Sequence, residues 1–248
     1  MVGDNLNSGH RQRLRNKFLK NNNSLEDYEL LEMLLFSSNM IKDTKHIAKV
    51  LINKFGSLNN VLNASKEELL LVDSVGTASV ACIKCVKEII IRILGEELKN
   101  SEINLDSLDK IKNYCKITIG DSNIENMMVL FLSSRLTLIK DEILFTGNSK
   151  ELKMYNNIII SEATKHGSSN IVLAHNYPSG NSSPSFNDID TTFELMDLFS
   201  MVGMKLVDHI IVSKNDTFSM LENGLFDKMK ATKYKNKLLR KDQIGNLE

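Results

Sequence analysis

The residues best placed to do chemistry together lie in one short segment, His175-Asn176-Tyr177-Pro178-Ser179-Gly180-Asn181-Ser182-Ser183-Pro184-Ser185-Phe186-Asn187-Asp188. Both of the chain's prolines fall inside it. Proline fixes its own φ and biases the residue before it towards an extended conformation. A loop braced twice at the exit of an apolar strand can hold side chains in fixed positions, as a catalytic or ligand site requires. Residues two apart in extended chain share a side, so His175 and position 177 face one space. Asp188 falls in the first turn of the following helix and can fold back towards both. Two strand-end side chains and one helix-start carboxylate make a three-ligand face with a fourth position left for water, the arrangement of catalytic zinc. A plainer reading stands beside this one. Ser185-x-x-Asp188 is a capping box, which alone accounts for both residues. A single histidine at a strand end is commonly structural, and Ser179 and Gly180 are ordinary turn residues.

The elements that must hold this loop follow from periodicity. Ile171-Val172-Leu173-Ala174 reads as a buried strand that delivers His175, and Ile189, Phe193, Met196 and Phe199 give the next helix its core spacing. Met127 to Leu132, Leu136 to Ile139 and Ile143 to Phe145 are predicted strands, and Tyr155 to Lys165 a helix stopped by Gly167. Leu206 to Val212 and Thr217 to Leu221 read as a closing hairpin around Lys214-Asn215-Asp216, with Asp208 and His209 expected as a buried polar pair without a catalytic role. Helices between strands in this order indicate an α/β domain. Before residue 100 the chain reads as helices throughout. One covers Gly9 to Lys20, one opens at Ser24-Leu25-Glu26-Asp27, and one runs from Thr44 to Lys54 and ends at Phe55-Gly56. Ser65-Lys66-Glu67-Glu68 caps another, and a long helix covers Thr77 to Leu98. The predicted domains are a helical one over 1–103, the α/β one over 104–226, and a basic tail over 227–248 holding seven Lys or Arg. The boundary itself falls between Glu97 and Ile111.

Of the 248 residues, 42% are hydrophobic and 25% charged, the composition of an ordinary globular protein. Equal numbers of basic and acidic residues, 31 each, argue against a polyanion-binding or acidic protein as a whole but leave room for a local basic surface. No apolar run approaches the roughly 20 residues needed to cross a bilayer, so no membrane partner is expected. The N-terminal residues carry no apolar signal region, and three cysteines, Cys82, Cys85 and Cys115, fit a reducing compartment; a cytoplasmic location is expected. Cys82-Ile-Lys-Cys85 has metal-site spacing but lacks a second ligand pair, and it sits in an apolar-periodic helix, so a buried structural role is expected.

The loop and its surroundings resemble the RadC family, in which the corresponding stretch reads His-Asn-His-Pro-Ser-Gly, then Pro-Ser and an Asp, and forms the JAMM metal motif of an MPN (JAB-like) domain. Gly9-His10-Arg11, Glu29-Leu30-Leu31, Phe55-Gly56-Ser57, Leu144-Phe145-Thr146-Gly147 and Asp208-His209-Ile210 carry the resemblance over nearly the whole chain. It implies an MPN α/β domain with a mixed sheet, acting as a zinc-dependent, peptidase-like hydrolase on peptide or isopeptide bonds. His175 and Asp188 match two of the metal ligands. Tyr177 stands where the family has its second histidine, and Asn156-Asn157-Ile158 stands where the family's helix begins Pro-Arg-Glu. A phenol of pKa about 10 must lose its proton, at a cost of about 4 kcal/mol at neutral pH, before it becomes a strong ligand. A bound metal lowers that cost without removing it, so zinc affinity is expected to fall. The resemblance further implies a glutamate as general base, for which Glu142 is the nearest candidate and Glu162 the alternative, and it gives Ser185 a part in stabilising the oxyanion.

A second class of function is a catalytically weak or inactive relative acting as a DNA-associated protein, in line with the family's association with DNA repair and mobile elements. Leu71 to Ala81 resembles a helix-hairpin-helix element, a fold of backbone that binds phosphate at a helix N-terminus. Gly76 keeps the second glycine of that element and Ser74 replaces the first. Arg11, Arg13, Arg15, Lys17 and Lys20 would add sequence-independent contacts to the DNA backbone. The plainer reading is a helical packing module with a solvated basic first helix. No aromatic interleaving points to single-strand stacking.

Overall fold

A computed structural model describes residues 4–38, 43–100, 102, 108–147, 152–214 and 216–228. Of the basic tail expected over 227–248, all but Asp227 and Lys228 lie outside the described residues, as does Asn215 in the predicted turn. The chain divides into two compact units, Met1–Arg92 and Ile93–Glu248.

The first unit is helical. It holds α1 (Asp4–Lys20), α2 (Asp27–Leu35), α3 (Thr44–Phe55), α4 (Leu58–Asn63), α5 (Lys66–Leu70) and most of α6 (Thr77–Asn100), which runs across the division. Local chemistry sets its helix ends. Asp43 caps α3 by accepting from the Lys45 and His46 amides, and Gly56 closes it at φ 85°. Ser65 and Glu68 form the expected capping box. The box expected at Ser24 forms instead between Glu26 and Glu29, because Ser24 lies in a 3₁₀ turn. Leu31, Leu35, Leu51, Leu69 and Ile83 are fully or almost fully buried and make the core of this unit. Val80 and Ile83 take the buried face of α6, which leaves Cys82 half-buried and Cys85 exposed. The expected burial of that cysteine pair is therefore not seen; Cys115 is the buried thiol, and burial pushes its pKa up.

Ser74 sits at φ 64°, in the left-handed region. That conformation carries about 1 kcal/mol of steric cost for a residue with a Cβ and almost none for glycine. Glycine also gains freedom in the unfolded chain, which offsets part of the relief. The Ser74→Gly substitution is expected to stabilise the protein by roughly 0.5 kcal/mol, read as a higher urea midpoint at unchanged slope. A lower midpoint would mean that the serine side chain itself holds the turn.

The second unit contains α7 (Leu108–Ile119), β1 (Asn126–Leu132), β2 (Leu138–Thr146), α8 (Leu152–Lys165), β3 (Asn170–Asn176), α9 (Phe186–Met201), β4 (Lys205–Val212) and β5 (Thr217–Ser219). The strands form one mixed sheet in the order β2-β1-β3-β4-β5, with β3 and β4 the parallel pair. Two predicted strands are in fact one: β2 runs unbroken through Lys140, Asp141 and Glu142. As an edge strand it tolerates charges that a central strand would exclude. Helix α7 had no counterpart in the sequence reading. It buries Leu108, Ile111, Cys115 and Ile119 at helical spacing and packs against the sheet.

Val129 and Phe131 of β1, Ile171 and Leu173 of β3 and Ile211 of β4 form one core with Ile159 and Ala163 of α8 and Leu195 and Phe199 of α9. Alternation along the strands turns Met128, Leu130, Val172, Ala174 and Ile210, all fully buried, to the opposite face. Strand β4 breaks its own alternation. Ile171 opposes Leu206, whereas Val172 opposes Asp208, so Val207 is the extra residue of a β-bulge. Past the bulge, His209 shares a face with Leu206, and Asp208 turns to the other side.

Candidate metal centre

At the end of β3 the alternation sends His175 to the α9 face and Asn176 to the opposite one. Asn176, wholly buried, clamps the entry to β1: its Oδ1 accepts from the Asn126 amide at 2.8 Å, and its Nδ2 donates to the carbonyls of Ser122 and Ile124 at 3.2 and 3.0 Å. The Tyr177 amide continues the pairing of β3 by donating to the Val212 carbonyl at 2.8 Å, after which Gly180 closes the turn at φ 87°. The side chain of Tyr177 thereby returns to the side of His175, with the two rings edge to face at 4.8 Å.

Helix α9 begins on Ser185 with the predicted capping box: the Asp188 amide donates to Ser185 Oγ, and the Ser185 amide donates to Asp188 Oδ2 at 2.7 Å. The same Oδ2 accepts from Ser185 Oγ at 2.8 Å and from the Tyr177 hydroxyl at 2.5 Å. The other carboxylate oxygen, Oδ1, stands 3.5 Å from His175 Nε2. His175, Tyr177, Asp188 and Ser185 thus meet at one place. Burial holds the His175 imidazole below its ordinary pKa, against the pull of Asp188. Burial opposes the charge on Asp188, but His175 and the donors from Tyr177 and Ser185 outweigh it and hold the carboxyl below its usual range. For Tyr177, burial and the bond to Asp188 push the phenol up to about 12. Behind His175, its Nδ1 lies 2.8 Å from His209 Nε2, and His209 Nδ1 lies 2.6 Å from Thr192 Oγ1. Burial, with His175 alongside, brings His209 down to about 3, so both imidazoles are neutral at pH 7.

A cavity of about 360 Å³ opens over these groups, walled by Met127, Phe145, Leu173 and Leu195 and also lined by Glu125. Glu125 was missed by the sequence reading. It precedes β1 with no motif around it, and two non-local bonds bring it to the pocket: the Asn176 clamp on its neighbours, and the Gly147 amide donating to its carbonyl at 2.8 Å. Glu142 does not line the cavity. It stands opposite Val129 on β2, and there it meets Glu162 of α8 and His166 just past that helix. The carboxylates of Glu142 and Glu162 each lie 3.5 Å from His166 Nε2, while Lys165 donates to Glu162 at 2.8 Å. The two glutamates offered as bases are neighbours, but of one another.

The donor set of the pocket fits a metal in part. His175 Nε2 is buried and has no hydrogen-bond partner, an orphaned nitrogen 3.5 Å from a carboxylate oxygen. That pair of donors suits zinc. Tyr177 is no donor as it stands, since its proton lies on the bond to Asp188.

The basic residues of α1 are placed as follows. Arg11 and Arg15 lie over the ring of Phe36 at 4.9 and 5.5 Å, and Lys17 pairs with Glu29 at 2.6 Å; Arg13 and Lys20 are exposed. Gly76 has no left-handed φ, and a Cβ there would meet nothing within 4 Å. Among the described residues, no helix is long and apolar enough to cross a membrane.

A family model described as RadC-like JAB domain matches residues 105–225, the span of the sheet and its helices. A UPF0758 protein of Fusobacterium nucleatum subsp. nucleatum is 38% identical over 226 residues, covering 88% of this chain and 97% of that protein.

Proposed function

The chain belongs to the RadC family, and from that premise we propose that its JAB domain is a peptidase-like zinc hydrolase weakened at one ligand, so that metal occupancy, not pocket shape, limits its activity. One observation carries this reading: the Tyr177 hydroxyl donates to Asp188 at 2.5 Å, on the carboxylate whose other oxygen faces the orphaned His175 Nε2. His175 and Asp188 would hold zinc. The metal, when bound, supplies a Lewis acid and acidifies a water molecule. Glu125, lining the same cavity, is the residue that would take a proton from that water. Ser185 has its single hydroxyl proton on Asp188, so it serves to orient the carboxylate. Apolar walls from Phe145 and Leu195 suit the side chains of a peptide substrate.

Zinc titration of the purified chain by calorimetry, with peptide hydrolysis assayed at each zinc level, tests the reading. Weak zinc binding that His175→Ala abolishes is expected, with hydrolysis appearing only in zinc excess and lost in Glu125→Gln. Absence of zinc uptake, or hydrolysis indifferent to His175→Ala, would overturn it.

A further inference from the structure

Behind His175 stand His209 and Thr192, whose hydrogens can be placed by elimination. Thr192 Oγ1 lies 2.5 Å from the carbonyl oxygen of Asp188, one turn earlier in α9. A carbonyl can only accept, so the one hydroxyl proton of Thr192 is on that bond. Thr192 Oγ1 must then accept from His209 Nδ1, 2.6 Å away. A neutral imidazole carries one N–H, so His209 Nε2 is a bare lone pair, and it must accept from His175 Nδ1 at 2.8 Å. That puts the only proton of His175 on Nδ1 and leaves Nε2 bare. At the pocket, Nε2 makes no hydrogen bond and stands 3.5 Å from Asp188 Oδ1, so an N–H placed there would gain no partner.

We infer that Thr192 and His209 are positioning residues, a relay that locks His175 into the tautomer whose Nε2 lone pair faces Asp188. The relay deepens the zinc-centre reading, because a metal binds the bare nitrogen, and a ligating histidine is oriented by what its other nitrogen donates to. It also exists without metal. All three side chains are buried, Thr192 completely and His209 all but so, which keeps water from supplying substitute partners. Were the relay reversed, His175 Nε2–H would point at Asp188, and the Thr192 and Asp188 oxygens would face each other at 2.5 Å with no proton between them.

The relay has a direct readout in the zinc-free, ¹⁵N-labelled full chain, whose five histidines resolve by long-range ¹H–¹⁵N correlation into Nδ1–H or Nε2–H forms. His175 and His209 should both be Nδ1–H at neutral pH. In Thr192→Val, which keeps the branched shape and loses the acceptor, both should switch to Nε2–H, and zinc affinity should fall about 10-fold or more, the range for losing a ligand's supporting bond. Thr192→Ser should restore the wild-type pattern. A wild-type His175 in the Nε2–H form would overturn the relay, and so would a Thr192→Val protein with both tautomers unchanged. If Thr192→Val fails to fold, the wild-type spectrum alone decides. Nδ1–H tautomers in a protein that takes up no zinc would instead sink the zinc reading and leave the relay standing.

Discussion

Replacing Tyr177 by histidine is expected to tighten zinc binding about 1,000-fold, the equivalent of the roughly 4 kcal/mol needed to deprotonate an ordinary phenol at neutral pH. The upward push on the Tyr177 phenol, to about 12, acts in the same direction, but the ring is partly exposed, and solvent screening reduces what that adds. Two changes accompany the substitution. A neutral imidazole offers a lone pair without losing a proton, and Asp188 Oδ2 is freed from the tyrosine hydroxyl that now lies 2.5 Å from it. The capping box survives, because Ser185 still donates to Asp188 through its amide and hydroxyl, so α9 should keep its start. Competition against a chromophoric chelator measures the change. An affinity unchanged from wild type would mean that His175 and Asp188 do not form a metal site whatever stands between them.

Asp208 should give the second large effect, on stability. Its carboxylate is wholly buried and accepts three hydrogen bonds: from its neighbour His209's amide at 2.7 Å, from the Leu221 amide at 2.9 Å, and from Ser219 Oγ at 2.5 Å. These join β4 to β5 and the turn beyond it. Asp208→Ala leaves three donors without an acceptor and is expected to cost about 3–5 kcal/mol, read by urea unfolding. A pH effect follows from the same burial, which pushes the carboxyl up to about 6 against the bonds from Ser219, Leu221 and His209. An unfolded aspartate loses its proton near 3.9, so between about pH 4 and about pH 6 the folded state holds a proton that the unfolded state has released. The group's contribution is therefore full below about pH 4 and declines as pH rises through 6, by about 3 kcal/mol in all. Asp208→Asn should remove that slope. The comparison is the wild-type minus Asp208→Asn difference at about pH 4 and about pH 7; a difference that does not change between them would show that Asp208 ionises normally.

The reach of the sequence differed from residue to residue for physical reasons. The pairing of His175 with Tyr177 across Asn176, and the return of Asp188 towards them, follow from strand alternation and a capping box, both local rules read over a few residues. The alternation of strands and helices from β1 onward likewise follows from short apolar runs. Glu125 follows from nothing local: its place in the pocket depends on Asn176, 50 residues away, holding the Asn126 amide. Which end of the sheet Glu142 and Glu162 occupy is likewise not local: it depends on the register of β2 against β1, and Val129 opposite Glu142 puts them with His166. Helix α7 was passed over because its apolar residues are spread through a polar stretch and become a stripe only once wound. Asp208 and His209 were expected to pair with each other, and their side chains part instead, one to Ser219 and the other to His175.

Neighbouring strand residues part by pleating alone, and the extra residue of β4 decides which of the two turns to which face. Because Val207 stands outside the period of two, His209 backs His175; a strand that pleated regularly through Val207 would turn Asp208 to that face instead. Absorbing Val207 into a regular pleat would exchange imidazole for carboxylate behind the pocket without altering a single letter of the Asp208-His209-Ile210 signature. The side chain that backs the centre is therefore chosen by the bulge as well as by the residue at each position.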